Sequence, residues 1–352
     1  MSVAASPSPG FLSSRNALLP GWAQWGVPGV FAALAVLLFL ATDVSPALAL
    51  IGAVLVSGLV LYAWSRAVEG KRKALDRAVT LGVSSAFLLA LIPLVSVLYT
   101  VISRGAARFD VDFFTLSSRN VVGAGGGALH AIYGTLIITA CAALVAVPVG
   151  ILAAVYLVEY GRGRLARSIT FFVDVMMGIP SIVAGLFAFA LFAIFFGPGI
   201  RLGIMGALAL MVLMIPIVIR STEEMLRIVP NGLREAAYAL GTPKWKMITK
   251  IVLPTALAGI VSGVMLSIAR VIGETAPLLV TTGVVDSINA NPFDGRMMNL
   301  AVFAFDQYKN PGVLREAYFD RAWSAALTLI AIVMILNLAG RFVYRKFGTE
   351  IR

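Results

Sequence analysis

The sequence predicts an all-α integral membrane protein, and two observations carry that prediction. Hydrophobic residues make up 60% of the chain and charged residues only 13%, which leaves too few charges to keep a chain of this length in water. The apolar residues also gather in eight stretches, each close to the ~20 residues that a helix needs to cross a bilayer. Within such a stretch only a helix satisfies its own backbone hydrogen bonds.

Eight spans follow from these stretches in chain order. A polar segment with Arg15 precedes the first span, and a second span follows it at once. We therefore expect a retained span and not a cleaved signal peptide. The predicted spans are Trp25 to Ala41, Ala47 to Trp64, Ala78 to Ile102, Ala131 to Leu157, Ile179 to Phe196, Gly203 to Ile219, Ala256 to Leu279 and Ala322 to Leu338.

Lysine and arginine predict the orientation, because cytoplasmic loops accumulate them. If the spans alternate, four basic stretches fall on one side, whereas the basic residues of the other side are spread over longer sequence. The sequence therefore predicts that both termini and residues 220–254 lie in the cytoplasm. The four stretches are Arg66 to Arg77, Arg162 to Arg167, Arg220 to Lys250 and Arg341 to Arg352.

Several other function classes are excluded or disfavoured. The net charge of +11 would suit nucleic acid, but its distribution is that of membrane topology and no basic run interleaved with aromatic residues accompanies it. His130 is the one histidine, which excludes a histidine metal cluster or histidine-based triad within this chain. Cys141 stands alone in an apolar span, where we expect a small core residue.

Glycine-rich segments give no nucleotide site. The chain has no G-x-x-x-x-G-K-[ST] spacing, so ATP hydrolysis would have to come from another chain. The run from Gly123 to Gly127 lies outside the predicted spans and leads into one of them, whereas a dinucleotide-binding turn follows a strand. We expect a flexible loop there.

The polar segment "EAAYALGTPKWKMITKIVLP" between two spans predicts two short helices. Apolar residues at helical spacing give the first helix one apolar face, and Gly241 is placed to end it in the left-handed conformation. Thr242 is the expected N-cap of the second helix, Pro243 its first-turn residue and Pro254 its end. The apolar face consists of Leu233, Ala236, Ala237 and Leu240.

Two ionisable residues fall within the seventh predicted span. An ionised side chain at the bilayer centre costs roughly 2.5 to 3.5 kcal/mol, so Arg270 and Glu274 need a reason to be there. Their spacing of four places them on one helix face. A structural ion pair explains them as well as an anion path does, in which a guanidinium binds phosphate or another tetrahedral oxyanion.

At every fixed position the polar segment resembles the EAA loop of ABC importer permeases. The matching residues are Glu235, Ala236, Ala237, Gly241, Leu253 and Pro254. In that family the loop forms coupling helices that sit in a groove of a cytoplasmic ATPase. Periodicity alone would equally suit an amphipathic helix lying on lipid.

Longer stretches resemble the A-type permease of the bacterial phosphate-specific transport system. They are "GTLIITACAALVAVPVGILAAVYLVEY", "GIPSIVAGLF", "IPIVIRSTEEMLRIVP" and "ARVIGETAPLL". The resemblance implies a MetI-like six-helix permease core in residues 78–352, with a coupling loop at about 220–254. Residues 1–77 would add an N-terminal segment and a transmembrane hairpin. Arg220 and Arg270, with Glu274, would form the substrate pathway, although Arg220 also suits an interfacial anchor.

The same resemblance implies the assembly. The partners would be a homologous C-type permease, two copies of an ATPase subunit that bind ATP and Mg²⁺, and an extracytoplasmic phosphate-binding protein. This chain would bind no cofactor and would lie in the bacterial inner membrane, where phosphate crosses by alternating access. A molybdate or sulfate permease, a transporter with Glu274 as a proton or sodium site, and a regulatory scaffold are the alternatives.

Overall fold

Helices account for the fold. The structure is a computed structural model that describes residues 18–41 and 45–347, and it has no strand within those ranges. Arg15 and Arg352, expected to be cytoplasmic, lie outside them. The helices are α1 Ala23–Ala41, α2 Pro46–Val68, α3 Lys71–Gly105, α4 Val111–Thr115, α5 Leu129–Val155, α6 Arg164–Met177, α7 Ser181–Phe196, α8 Gly203–Ile228, α9 Asn231–Ala239, α10 Lys244–Met247, α11 Leu253–Ile272, α12 Ala276–Thr281, α13 Leu300–Lys309 and α14 Arg315–Phe347.

Seven helices of the described ranges are long and apolar enough to cross a membrane, and α6 and α7 meet the same test together. The chain bends by 108° between α6 and α7, so the fifth predicted span has to be corrected. The predicted span Ile179 to Phe196 corresponds to α7. The basic segment before it, which the sequence predicted as a loop, is the helix α6. Its inward face could have been found from the helical spacing of Ala166, Ile169 and Val173, of which Val173 is buried and the other two are half-buried.

The seventh predicted span, Ala256 to Leu279, is also corrected. The helix ends at Ile272, and Gly273 to Thr275 separate it from α12. Pro277 explains the break, because it lacks an N–H and its ring would meet the carbonyl of Gly273 in a continuous helix. Glu274 therefore does not share a helix face with Arg270.

The chain divides into two compact units, residues 1–98 and 99–352. In the first unit α1 packs along α2, and most of their large apolar side chains are exposed, as befits helices whose solvent is lipid.

The second unit is built around α8. Of its most apolar stretch 56% is buried, against 28% for the corresponding stretch of α5. The two helices pack along each other, and a Cβ added to Gly150 of α5 would lie 2.6 Å from Val218 Cγ1 of α8. The bare glycine thus allows the close approach. α11 and α7 complete the packing around α8.

A buried carboxylate closes the turn between α2 and α3. Glu69 accepts hydrogen bonds from the backbone N–H of Leu19 (3.0 Å), from Ser65 Oγ (2.7 Å) and from Arg77 Nε and Nη2 (2.7 and 2.9 Å). Its side chain is 1% exposed. The Arg77 hydrogen bond lowers the pKa of Glu69 from 4.5 to about 2, against the opposing effect of burial. The cluster joins the chain before α1 to both helices of the turn.

We expect Glu69→Gln to lower the stability of the first unit by about 1–3 kcal/mol, because a charge-assisted hydrogen-bond set is lost. The folded pKa lies below the ordinary value, so the carboxylate stabilises the fold above pH 4.5 and ceases to do so as the pH falls towards 2. Thermal unfolding in detergent, followed by circular dichroism across that window, measures both effects. Asp76→Asn, at an exposed position of α3, is the control. Equal pH dependence in the Glu69→Gln and wild-type proteins would contradict the assignment.

Candidate coupling and transport site

The first helix of the EAA-like segment forms as predicted. α9 runs from Asn231 to Ala239, and Gly241 follows with a φ of 70°. The N–H groups of Gly241 and Thr242 donate to the carbonyls of Tyr238 (2.9 Å) and Ala237 (3.0 Å). This pair of bonds is the Schellman motif, in which a left-handed residue satisfies the last carbonyls of a helix. The prediction for Gly241 is confirmed.

The second helix differs from its prediction at both ends. Pro243, and not Thr242, is the N-cap, and no side chain caps that end. Pro254 does not end the helix, because the chain stays helical from Lys244 to Ile272. A π-helical segment from Ile248 to Val252 lies just before the proline. The wider turn accommodates the missing N–H of Pro254, a known cause of local departures from α-helical bonding.

The apolar face of α9 has little cover. Of its predicted residues only Ala237 is buried, whereas Leu233 and Leu240 are 38% and 86% exposed and Ala236 is exposed as well. Glu235 also points outward. A short helix that leaves most of its apolar face uncovered is available to another molecule.

Arg234 fixes α9 to the rest of the second unit. Its guanidinium donates to Glu159 Oε1 (3.0 and 2.9 Å) and to the carbonyls of Leu226 (2.9 Å) and Val229 (2.6 Å). The side chains of Arg234 and Glu159 are 14% and 6% exposed. Sequence reasoning missed this pair, since 75 residues separate its members and no local pattern joins them.

Arg220 is engaged within the chain. It pairs with Asp174 of α6, and its Nη1 lies 2.9 Å from Glu223 Oε2. Because α8 continues to Ile228, Arg220 lies within this helix and not at its end. The three side chains hold α6 against α8.

Arg270 and Glu274 are not joined. Arg270 is exposed in the last turn of α11, and within the described residues it has no carboxylate partner. Its charge there complements the helix dipole. Glu274 lies in the break before α12, half-buried, where its carbonyl accepts a long hydrogen bond of 3.4 Å from Asn299. The structural ion pair weighed from the sequence is therefore absent from the described part of the chain.

The glycine-rich run is not the free loop that the sequence predicted. Arg321 of α14, 2% exposed, donates to the carbonyls of Gly123 (2.7 Å) and Gly125 (2.8 Å). Its Nε donates to Gln307 Oε1 (2.8 Å). These bonds hold the run in one conformation. Arg321 lies too far along the chain for sequence patterns to reveal this contact. Within the described residues, no group of three or more histidine, cysteine or acidic side chains could hold a metal ion.

The chain is similar to a known protein family and to known transport proteins. Residues 146–352 match the family described as binding-protein-dependent transport system inner membrane component. The phosphate transport system permease protein PstA 1 of Mycobacterium tuberculosis (strain CDC 1551 / Oshkosh) is 49% identical over 276 residues, which cover 78% of this chain and 90% of that relative. The phosphate transport system permease protein PstA of Yersinia pestis is 37% identical over 257 residues, 72% of this chain and 84% of that relative.

A solved structure shares the fold. A chain of a bacterial alginate ABC transporter, crystallised with an alginate-bound periplasmic protein, aligns with a TM-score of 0.55 over 79% of this chain and 96% of that chain. At 14% sequence identity the likeness concerns the fold alone.

Gly241→Val tests the end of α9. A Cβ at Gly241 would meet nothing within 4 Å, so the substitution acts through backbone strain, which costs about 1–2 kcal/mol for a residue in the left-handed region. We expect faster amide hydrogen exchange in residues 233–240. Gly241→Asn is the matched control, because asparagine tolerates this conformation. Unchanged exchange in the valine variant would contradict the role of Gly241.

Proposed function

We infer the function of this chain from its family: it belongs to the binding-protein-dependent transport system inner membrane components and, among them, to the PstA permeases of phosphate transport systems. It is a membrane permease subunit of a phosphate ABC importer. As such it is a transport component and not an enzyme.

We propose that ATP drives this permease through the exposed apolar face of α9. Leu233, Ala236 and Leu240 would enter a groove on an ATPase subunit, which holds ATP and Mg²⁺ in its own chain. Burial of apolar surface would drive that contact. Two ATPase copies would complete the assembly, one under this chain and one under a homologous C-type permease. A phosphate-binding protein would deliver the substrate from the other side.

The basic stretches support an orientation in the bacterial inner membrane. α9 and α10 lie in a basic stretch between two apolar spans, and cytoplasmic loops accumulate such charge. With α6 and α7 counted as one span, eight spans return the chain to the side from which it started. We propose that this side is the cytoplasm and that both termini lie there. The EAA-like segment then faces the ATPase.

Among the predicted pathway residues, Arg270 is best placed to meet phosphate. It is exposed, and no carboxylate of the described chain neutralises it. A guanidinium binds two oxygens of a tetrahedral oxyanion at once. Arg220 is already occupied by Asp174 and Glu223, so we assign it the supporting role of holding α6 beside the path. Glu274 follows at the break after α11, where its negative charge would help to release the anion.

Phosphate uptake into proteoliposomes tests the function. The vesicles contain this chain with its partner permease, ATPase and binding protein, with and without internal ATP, and with sulfate or molybdate as competitor. We expect ATP-dependent uptake that neither competitor prevents. Uptake without ATP would favour a gradient-driven transporter, whereas abolition by sulfate or molybdate would overturn the substrate and retain the architecture.

Arg270→Ala tests the path. We expect uptake to fall about tenfold or more with the complex intact, because a charge-assisted hydrogen bond contributes about 1.5–3 kcal/mol. Arg270→Lys should recover part of the activity, since it keeps the charge but not the planar fork. Arg119→Ala, at an exposed position between α4 and α5, serves as the control. Normal uptake by the alanine variant would remove Arg270 from the path.

A further inference from the structure

Within the described residues, the ion pair of Arg234 and Glu159 is the charged contact that ties α9 to α5. Arg234 uses Nε and Nη2 on the same carboxylate oxygen, at 3.0 and 2.9 Å. Both side chains are largely withdrawn from solvent. A buried pair of this kind holds its elements in one relative position, because separating it would leave an uncompensated charge.

The carboxylate belongs to the far end of α5. A π-helical turn from Tyr156 to Tyr160 continues this helix, and Glu159 lies in it. Lys244, the first residue of α10, binds the same turn. Its Nζ donates to the Glu159 carbonyl and lies 4.7 Å from the centre of the Tyr160 ring. Both short helices of the EAA-like segment are thus attached to one turn of α5.

The opposite end of α5 contacts the segment that leads into α13. The backbone N–H of Leu300 donates to Thr135 Oγ1 at 2.8 Å. One residue earlier, Gly134 abuts the carbonyl of Met298 so closely that a Cβ would not fit. A single helix therefore contacts the EAA-like segment at one end and the segment of residues 298–300 at the other.

Helix α8 also contacts α9, and it differs from α5 in how it is attached. Only Val229 and Pro230 separate α8 from α9, so α8 follows α9 through the covalent chain whether or not Arg234 is present. α5 has no such covalent link to α9. α5 also packs along α8, but its polar contacts with α9 and α10, within the described residues, are those of Glu159 with Arg234 and Lys244.

We propose that α5 transmits the movement of α9 across the membrane to residues 298–300, and that the Arg234–Glu159 pair is the positioning contact through which α9 moves it. This inference rests on the proposed function, in which the ATPase moves α9. When the ATPase pair closes, α5 would shift with α9 and α10. The segment at its other end would shift with it and change access to the path from outside.

The test measures coupling and not activity alone. Glu159→Gln keeps the shape of the side chain and removes its charge, and the complete complex in proteoliposomes gives both phosphate uptake and ATP hydrolysis. Energetic coupling between protein sites is typically worth about 5- to 150-fold. We expect phosphate moved per ATP hydrolysed to fall about tenfold, with the ATPase retained and its hydrolysis still stimulated by the phosphate-loaded binding protein. The exchanged double variant Glu159→Arg/Arg234→Glu should recover part of the ratio that each single change loses.

Arg227→Gln is the matched control, because the exposed Arg227 pairs with the buried carboxylate of Glu223 (2.6 Å) on the same helix, and this contact does not reach α5. A wild-type ratio in both Glu159→Gln and Arg234→Lys overturns the proposal. Loss of the ATPase from the Glu159→Gln complex, with normal assembly of Arg227→Gln, also overturns it, since the pair would then only hold α9 in place. If the wild-type complex itself shows no ATP-dependent uptake, the proposed function fails, and not this inference.

Discussion

In a bilayer each backbone N–H and C=O must find its partner within the protein, and this constraint determines where the chain can depart from a regular helix. The described spans obey it with long helices. Their departures include a π-helical turn that ends α5, the bend between α6 and α7, a second π-helical turn before Pro254 and a short break after Ile272. Each departure has a nearby residue that satisfies or removes a backbone group. Three of these points lie at Glu159, next to the second helix of the EAA-like segment, and at Glu274.

Much of the fold could be predicted from sequence because apolar length and helical period are local properties. The end of α9 at Gly241 could be predicted too, since only the left-handed conformation suits that position. Pro254 misled the prediction because proline is usually a helix end, and the π-helical segment that accommodates it has no sequence signature. The helix α6 was missed because its basic residues obscured a short amphipathic period.

The contacts of the candidate site residues could not be predicted from the sequence. Arg220 and Arg270 share a residue type and a place near apolar sequence, yet one is paired twice and the other is exposed. What separates them is the position of Asp174 on another helix. Arg234 and Arg321 show the same limit: each is buried by partners far along the chain, Glu159 for one and the carbonyls of Gly123 and Gly125 for the other. Long-range pairing follows from packing and not from local pattern.

The turn between α2 and α3 bears on how the protein is made. Glu69 is synthesised eight residues before Arg77, whereas Leu19, which also binds it, is made much earlier. When α2 leaves the ribosome, its end therefore carries a carboxylate whose cation has not yet emerged. A charge without its partner does not enter hydrocarbon readily, so this end stays at the water interface until the start of α3 follows. We therefore expect the charged turn between α2 and α3 to remain outside the lipid while the hairpin inserts.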